Sequence, residues 1–152
     1  MRVAGVGGPA QVIAASLAAL EQEGLVLEAM SPTIATAPLG PSRRRFANAA
    51  AVVSSALAPP ELLALLQRVE RAFGRRKRGS RWRARPLDLD IILWSGGIWV
   101  SEGLTIPHRE YRHRDFVLGP AAAIARDWRD PAIGLSLRQL HARLTGHRPL
   151  PR

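Results

Sequence analysis

"RARPLDLDIILW", residues 83–94, alternates apolar and acidic side chains and then turns wholly apolar. In a β-strand successive side chains take opposite faces. Leu87, Leu89 and Ile91 therefore share one face, while Asp88 and Asp90 share the other, about 6.6 Å apart along the backbone. The apolar set demands a core. The acidic set demands a cation, because two carboxylates on one face repel each other unless positive charge lies between them.

Upstream of this strand the chain supplies five further elements. "RVAGV" predicts a short first strand, and Pro9 suits the first turn of a helix that runs to Glu23 with Ile13, Leu17 and Leu20 at helical spacing. Gly24 fits its C-terminal cap. "LVLEAMSPTIATA" (25–37) reads as a second strand, "PLGPSRRR" (38–45) as a loop, and "FANAAAVVSSAL" (46–57) as a buried strand whose alanines leave a helical reading open. Pro59 and Pro60 start a second helix through about Phe73, with Leu62, Leu63, Leu66 and Val69 as its apolar stripe.

"GRRKRGSRWRARP" (74–86) has no core-forming pattern and is expected to be a long cationic loop, a length that compact domains keep for functional lids or leave disordered. After the 87–94 strand, "SGG" is expected to turn a hairpin into "IWV". "LTIPHREYRHRDFVLGPAAAIA" then predicts an extended piece followed by a helix. A last helix begins at "SLRQLHARL", where Ser136 and Gln139 have capping-box spacing and Leu137, Leu140 and Leu144 share a face. The order strand, helix, strand, strand, helix, strand is the βαββαβ pattern. It predicts an α+β, ferredoxin-like sandwich with an antiparallel sheet and extra C-terminal helices, formed by residues 1–152 as a single domain.

The chain has 22 Lys plus Arg against 12 Asp plus Glu and no cysteine. The missing thiols exclude a disulfide framework and cysteine-ligated metals and suit a reducing compartment. No run approaches the ~20 apolar residues of a membrane helix, and "MRVAGVGGPAQ" is interrupted before a signal-like apolar core develops. A cytoplasmic protein with no membrane partner is expected. The positive charge is focused: Arg71, Arg75, Arg76, Lys77, Arg78, Arg81, Arg83 and Arg85 occur with no acid among them, and Arg43, Arg44 and Arg45 form a second cluster. The partners are therefore anionic, with nucleic acid, acidic lipid and phosphorylated small molecules all compatible.

For an arbitrary D-x-D the commoner arrangement is a solvated face paired to arginines. Here the pair directly follows a basic loop, and Mg²⁺ prefers a few carboxylates plus substrate phosphates. Carboxylates, cationic loop and phosphates together suit phosphoryl transfer, in which catalysis is largely positioning and charge neutralisation. Trp82 inside the basic run leaves a single-stranded nucleic-acid module as a rival. "GVGG" after the first strand lacks the G-x-G-x-x-G or G-K-[ST] pattern of a nucleotide loop and reads as a turn.

"RPLDLDII" (85–92) resembles the signature of the 6-hydroxymethyl-7,8-dihydropterin pyrophosphokinase family. "TAPLG" (36–40), "FANAA" (46–50), "QRVE" (67–70), "GRRKRGSRW" (74–82) and "LTIPH" (104–108) resemble further segments of that family, in the same order. The resemblance covers roughly residues 30 to 120. It implies transfer of pyrophosphate from ATP to 6-hydroxymethyl-7,8-dihydropterin in folate synthesis, with small-molecule substrates, no nucleic acid, and a monomer.

The resemblance implies that Asp88 and Asp90 hold two Mg²⁺ ions against the ATP phosphates and that Arg75 and Arg85 join them in catalysis. Gln67, Glu70, Lys77, Trp82, Arg85, Ile91, Thr105, His108 and Arg114 are implied for ATP. Thr36, Ala37, Leu39, Phe46, Asn48 and Phe116 are implied for the pterin, with the two phenylalanines on either side of its ring. An aromatic pair suits a flat heterocycle on physical grounds as well. The chain departs from the family in its abbreviated "GVGGPAQ" and at Lys77, Phe46, Arg109 and Gly103, where arginine, tyrosine, tyrosine and arginine respectively are usual. Lysine keeps the charge at position 77 and loses the planar fork.

Overall fold

The computed structural model describes residues 2–3, 6–7, 10–36, 46–76 and 87–146, the side chains of residues 2, 3, 6, 7, 36, 46, 75 and 76 excepted. The 38–45 loop, residues 77–86 and His147 lie outside the described residues. The elements are β1 (Arg2–Val3), β2 (Val6–Gly7), α1 (Ala10–Gln22), β3 (Val26–Met30), β4 (Ile34–Thr36), β5 (Phe46–Ala49), β6 (Ala51–Ser54), α2 (Pro59–Arg76) and β7 (Asp88–Leu89). After these come β8 (Trp99–Ser101), β9 (Leu104–Ile106), a 3₁₀ turn (Tyr111–His113), α3 (Asp115–Ala125) and α4 (Leu137–Thr145). None of the described helices is long and apolar enough to cross a membrane.

The protein has a mixed architecture of helices and small antiparallel sheets, with strand orders β1-β6-β3, β4-β5-β2-β7 and β8-β9. The first two sheets meet at one seam, where only Ala50 separates β5 from β6 and "SPT" separates β3 from β4. Pro32 cannot donate to a ladder. Buried Ser31 bridges the gap instead: its N–H donates to the Ala50 carbonyl and its Oγ accepts from the Ala50 N–H, both at 2.8 Å.

Two cores flank the strands. In the first, Ile13, Leu17 and Leu20 of α1 and Leu62, Leu65, Leu66, Val69 and Phe73 of α2 pack on Ala47, Ala49, Ala51, Val53, Leu87, Leu89 and Ile91. In the second, Tyr111, Leu118, Ala121, Leu137 and Leu140 pack on Ala50, Ile92 and Leu93. Ala47, Ala49 and Ala51 thus face the first core and Ala50 the second, and "FANAAAVVSS" is extended rather than helical but divided into two strands of different sheets.

Local chemistry sets the helix ends. Gly24, at φ +99°, ends α1 with Gly24 N–H donating to Glu21 O and Leu25 N–H to Leu20 O, the paired bonds of a Schellman motif. At α4, Ser136 Oγ accepts from Gln139 N–H at 3.1 Å and Gln139 Oε1 accepts from Ser136 N–H at 2.9 Å. Ser136→Ala is expected to cost about 1 kcal/mol, read as a lower urea midpoint at unchanged slope. Leu137 and Leu140 are buried as expected, whereas Leu144 is exposed.

Three local expectations are corrected. Helix α2 continues to Arg76, so Gly74 and Arg75 belong to its last turn and not to the basic loop. One glycine costs a helix only about 1 kcal/mol, and the buried Phe73 anchors this end. On the same helix Leu65 joins the buried stripe while Leu63 is only half-buried. The "SGG" segment makes a turn, with Gly97 N–H donating to Trp94 O, but does not pair 87–94 with "IWV". Strand β8 pairs with β9 through the Glu102–Gly103 turn, where Gly103 takes φ +79°.

Candidate active site

The second face of the sheet is divided between a covered and an open part. Ala50 and Ile92 lie under α3 and α4. Two residues before Ala50, on the same face by strand alternation, stands Asn48, and two residues before Ile92 stands exposed Asp90, just past the end of β7. Asn48 pairs with Gly7, and Gly7 pairs with Asp88, so these three residues form one row across three adjacent strands. Strands about 4.8 Å apart put the ends of that row about 10 Å from each other. Asn48 is only 9% exposed, whereas Asp88 and Asp90 are exposed. The adjoining row, Ala49, Val6 and Leu89, takes the opposite face, where Ala49 and Leu89 join the first core.

Both ends of the row gather sequence candidates. At the β4 edge Thr36 pairs with Phe46, which precedes Asn48 by two residues on β5. At the other end Glu70, half-buried on α2, accepts a 2.6 Å hydrogen bond at Oε2 from the Leu89 N–H. Gln67, exposed one turn earlier, is on the same side of α2. His108 is fastened close by: its N–H donates to Ile92 O at 3.0 Å, and its Nδ1 accepts from the Glu110 N–H at 3.1 Å. With Nδ1 occupied as an acceptor, Nε2 is the ring nitrogen left to donate.

Thr105 is half-buried on β9, and Ile91 is buried in the first core. Arg114 is exposed at the N-cap of α3, and Phe116, two residues later, is 38% exposed and no ordinary core residue. Helix α3 packs against β5 and β6, so its N-terminal end belongs to the layer that borders the open face. Neighbouring Arg112 has a different occupation: its Nε and Nη2 bind Asp130 at 2.8 and 2.6 Å. Ala37, Leu39, Lys77, Trp82 and Arg85 lie outside the described residues, as do the side chains of Thr36, Phe46 and Arg75.

The donor set of the described residues suits a hard cation. Two exposed carboxylates that flank one buried leucine match the one or two that Mg²⁺ takes from a protein when substrate phosphates complete its shell. Among the described residues no cluster of three or more His, Asp or Glu forms a dedicated metal cage.

Residues 4–126 match the family described as 7,8-dihydro-6-hydroxymethylpterin-pyrophosphokinase (HPPK). The chain belongs to this family. Every site candidate falls within the matched range, and α4 lies beyond it. Three bacterial relatives are each named 2-amino-4-hydroxy-6-hydroxymethyldihydropteridine pyrophosphokinase. The Synechocystis protein is 38% identical over 117 residues, covering 77% of this chain and 60% of that protein. The Haemophilus influenzae protein is 40% identical over 121 residues, covering 78% and 75%, and the Pseudomonas aeruginosa protein 41% over 125 residues, covering 81% and 76%.

One member of the row escaped the sequence reading. "GVGG" predicts a turn at Gly7, yet Gly7 lies in a strand between Asn48 and Asp88. A glycine inside a strand marks close backbone approach, which was the available signal.

Proposed function

We propose that the protein transfers pyrophosphate from ATP to 6-hydroxymethyl-7,8-dihydropterin, giving the pterin diphosphate and AMP. The observation that carries this reading, within a pyrophosphokinase family, is the row that sets Asn48 in line with Asp88 across an open sheet face. Its length suits a bicyclic ring at one end with its hydroxymethyl arm reaching the carboxylates at the other.

In this reading Asn48 takes the amino-pyrimidinone edge of the pterin, with Thr36, Ala37 and Leu39 contributing main-chain or hydroxyl contacts and Phe46 and Phe116 flanking the ring. Gln67, Thr105, His108 and Arg114 hold the nucleotide together with Lys77, Trp82 and Arg85, and Ile91, whose side chain is in the first core, contributes through its main chain. Two Mg²⁺ ions, when bound, neutralise phosphate charge and lower the barrier to ionising the alcohol. Asp88 and Asp90 hold them. The hydroxymethyl oxygen forms a bond to the β-phosphorus, the bond from that phosphorus to the α,β-bridging oxygen breaks, and AMP leaves with that oxygen. Asp88 or Asp90 accepts the alcohol proton, and Arg75 and Arg85 balance charge on the phosphoryl oxygens.

We also read the fold as ferredoxin-like: β7-β2-β5-β4 corresponds to strands four, one, three and two of a βαββαβ unit, all antiparallel. A cytoplasmic monomer acting on small molecules accords with this function.

Incubation with ATP, Mg²⁺ and the pterin should yield AMP and pterin diphosphate in equal amounts. Release of ADP, or of AMP without pterin, would sink the proposal. The row makes a further prediction. Gly7→Val adds a branched side chain that strands favour, in the middle of the substrate floor. It should raise the pterin KM about 10- to 100-fold, the equivalent of 1–3 kcal/mol of overpacking, with Gly7→Ala far milder. Parallel rises in the ATP and pterin KM would argue for general distortion instead.

A further inference from the structure

The resemblance assigns Glu70 to the nucleotide, but its geometry points to a different task. Leu89 is the residue between the two aspartates, its side chain is buried in the first core, and its N–H is taken by Glu70 Oε2 at 2.6 Å. Strand β7 comprises only Asp88 and Leu89 and stands at the end of its sheet, with β2 as its neighbour. An end strand leaves alternate N–H groups without a ladder partner. Asp90 follows immediately, beyond the ladder.

We propose that Glu70 is a positioning residue, clamping the Leu89 peptide so that Asp88 and Asp90 present their carboxylates together to divalent metal. The inference rests on the reading of Asp88 and Asp90 as metal ligands. Three anchors fix the Asp-Leu-Asp segment: the β2 ladder at Asp88 and Leu89, the core at the Leu89 side chain, and the Glu70 carboxylate at the Leu89 N–H. The last is charge-assisted, hence stronger than a bond between neutral groups. Without it the Asp88–Leu89 peptide loses its hydrogen bond on the outer edge of β7, and the spacing of the two carboxylates that flank Leu89 is held less firmly.

Glu70→Gln retains an acceptor oxygen and Glu70→Ala removes it, so the pair separates positioning from charge. The probe is Mn²⁺ bound with α,β-methylene ATP, followed by electron paramagnetic resonance, with hydrogen exchange of the Leu89 amide measured alongside. Glu70→Ala should weaken Mn²⁺ binding about 10- to 100-fold, as loss of a residue behind a metal ligand does, and speed Leu89 exchange. Glu70→Gln should restore both to within about threefold, because it keeps the hydrogen bond. Pterin KM should not move.

Equal losses in both variants, confined to ATP affinity at saturating Mn²⁺, would overturn the clamp in favour of direct nucleotide contact. Unchanged Mn²⁺ binding in a folded Glu70→Ala protein would overturn it outright. If the unsubstituted protein bound no Mn²⁺ with the nucleotide, the metal-site reading would fail and the clamp with it.

Discussion

Asp88→Asn is expected to lower turnover by about 10³-fold or more, and Asp90→Asn to do the same, while the urea unfolding midpoint stays close to that of the unsubstituted protein. Loss of one preorganised group at a developing charge already costs 10²–10³ in rate, and loss of a residue behind a metal ligand 10–100 in metal affinity. In the proposed role, a carboxylate that holds metal against the phosphates combines both penalties. Neither aspartate is buried, and surface substitutions usually shift stability by only about 0.5 kcal/mol in either direction. The double variant should be scarcely worse than either single one, because residues that act as a unit are strongly non-additive. Turnover within tenfold of the unsubstituted enzyme in a folded Asp88→Asn protein would remove the carboxylate from the mechanism.

The second large effect lies away from the site. Asp130→Ala is expected to cost about 3–5 kcal/mol, much of the 5–15 kcal/mol by which domains of this kind are stable. Asp130 is fully buried, and its Oδ2 accepts from the Tyr111 hydroxyl at 2.5 Å and from Arg112 Nε at 2.8 Å. Its Oδ1 accepts from the Ala132 N–H at 2.8 Å. Removing the carboxylate strands a half-buried guanidinium and a buried hydroxyl.

Burial first, and the bond to Asp130 second, raise the Tyr111 pKa above the ordinary phenol value. The folded state therefore holds that proton where the unfolded state releases it, so stability falls as pH rises past about 10. Urea titrations at pH 7 and pH 10.5 would check both points. A Tyr111→Phe protein, costing about 1–3 kcal/mol at pH 7, should lose this part of the alkaline slope. An Asp130→Ala protein within 1 kcal/mol of the parent would show the network to be dispensable.

Period-two alternation in 87–91 placed Asp88 and Asp90 on one exposed face and Leu87, Leu89 and Ile91 in the core, and helical spacing placed α1 and α2. Those readings need only local geometry. "FANAAAVV" stayed ambiguous because alanine suits both faces of a strand and the interior of a helix, and only packing between two cores decides it. The row Asn48–Gly7–Asp88 depends on register between segments about 40 residues apart, which no single segment encodes. The Tyr111–Asp130 bond spans 19 residues and carries no periodic mark. Helix α2 runs past its expected end because clustered charge and a glycine signal a loop, whereas arginine is itself a good helix former.

Ala47, Ala49, Ala50 and Ala51 make the middle of the sheet unusually thin, since each side chain ends one carbon beyond the backbone. The partition between the two helix layers has little slack. Swelling it at Ala50 would displace α3 bodily, carrying Arg114 and Phe116 away from a floor that itself stays put. The distance between the α3 layer and the open face of the sheet is thus governed from behind, by four side chains that border neither Asp88 nor Asp90 in sequence.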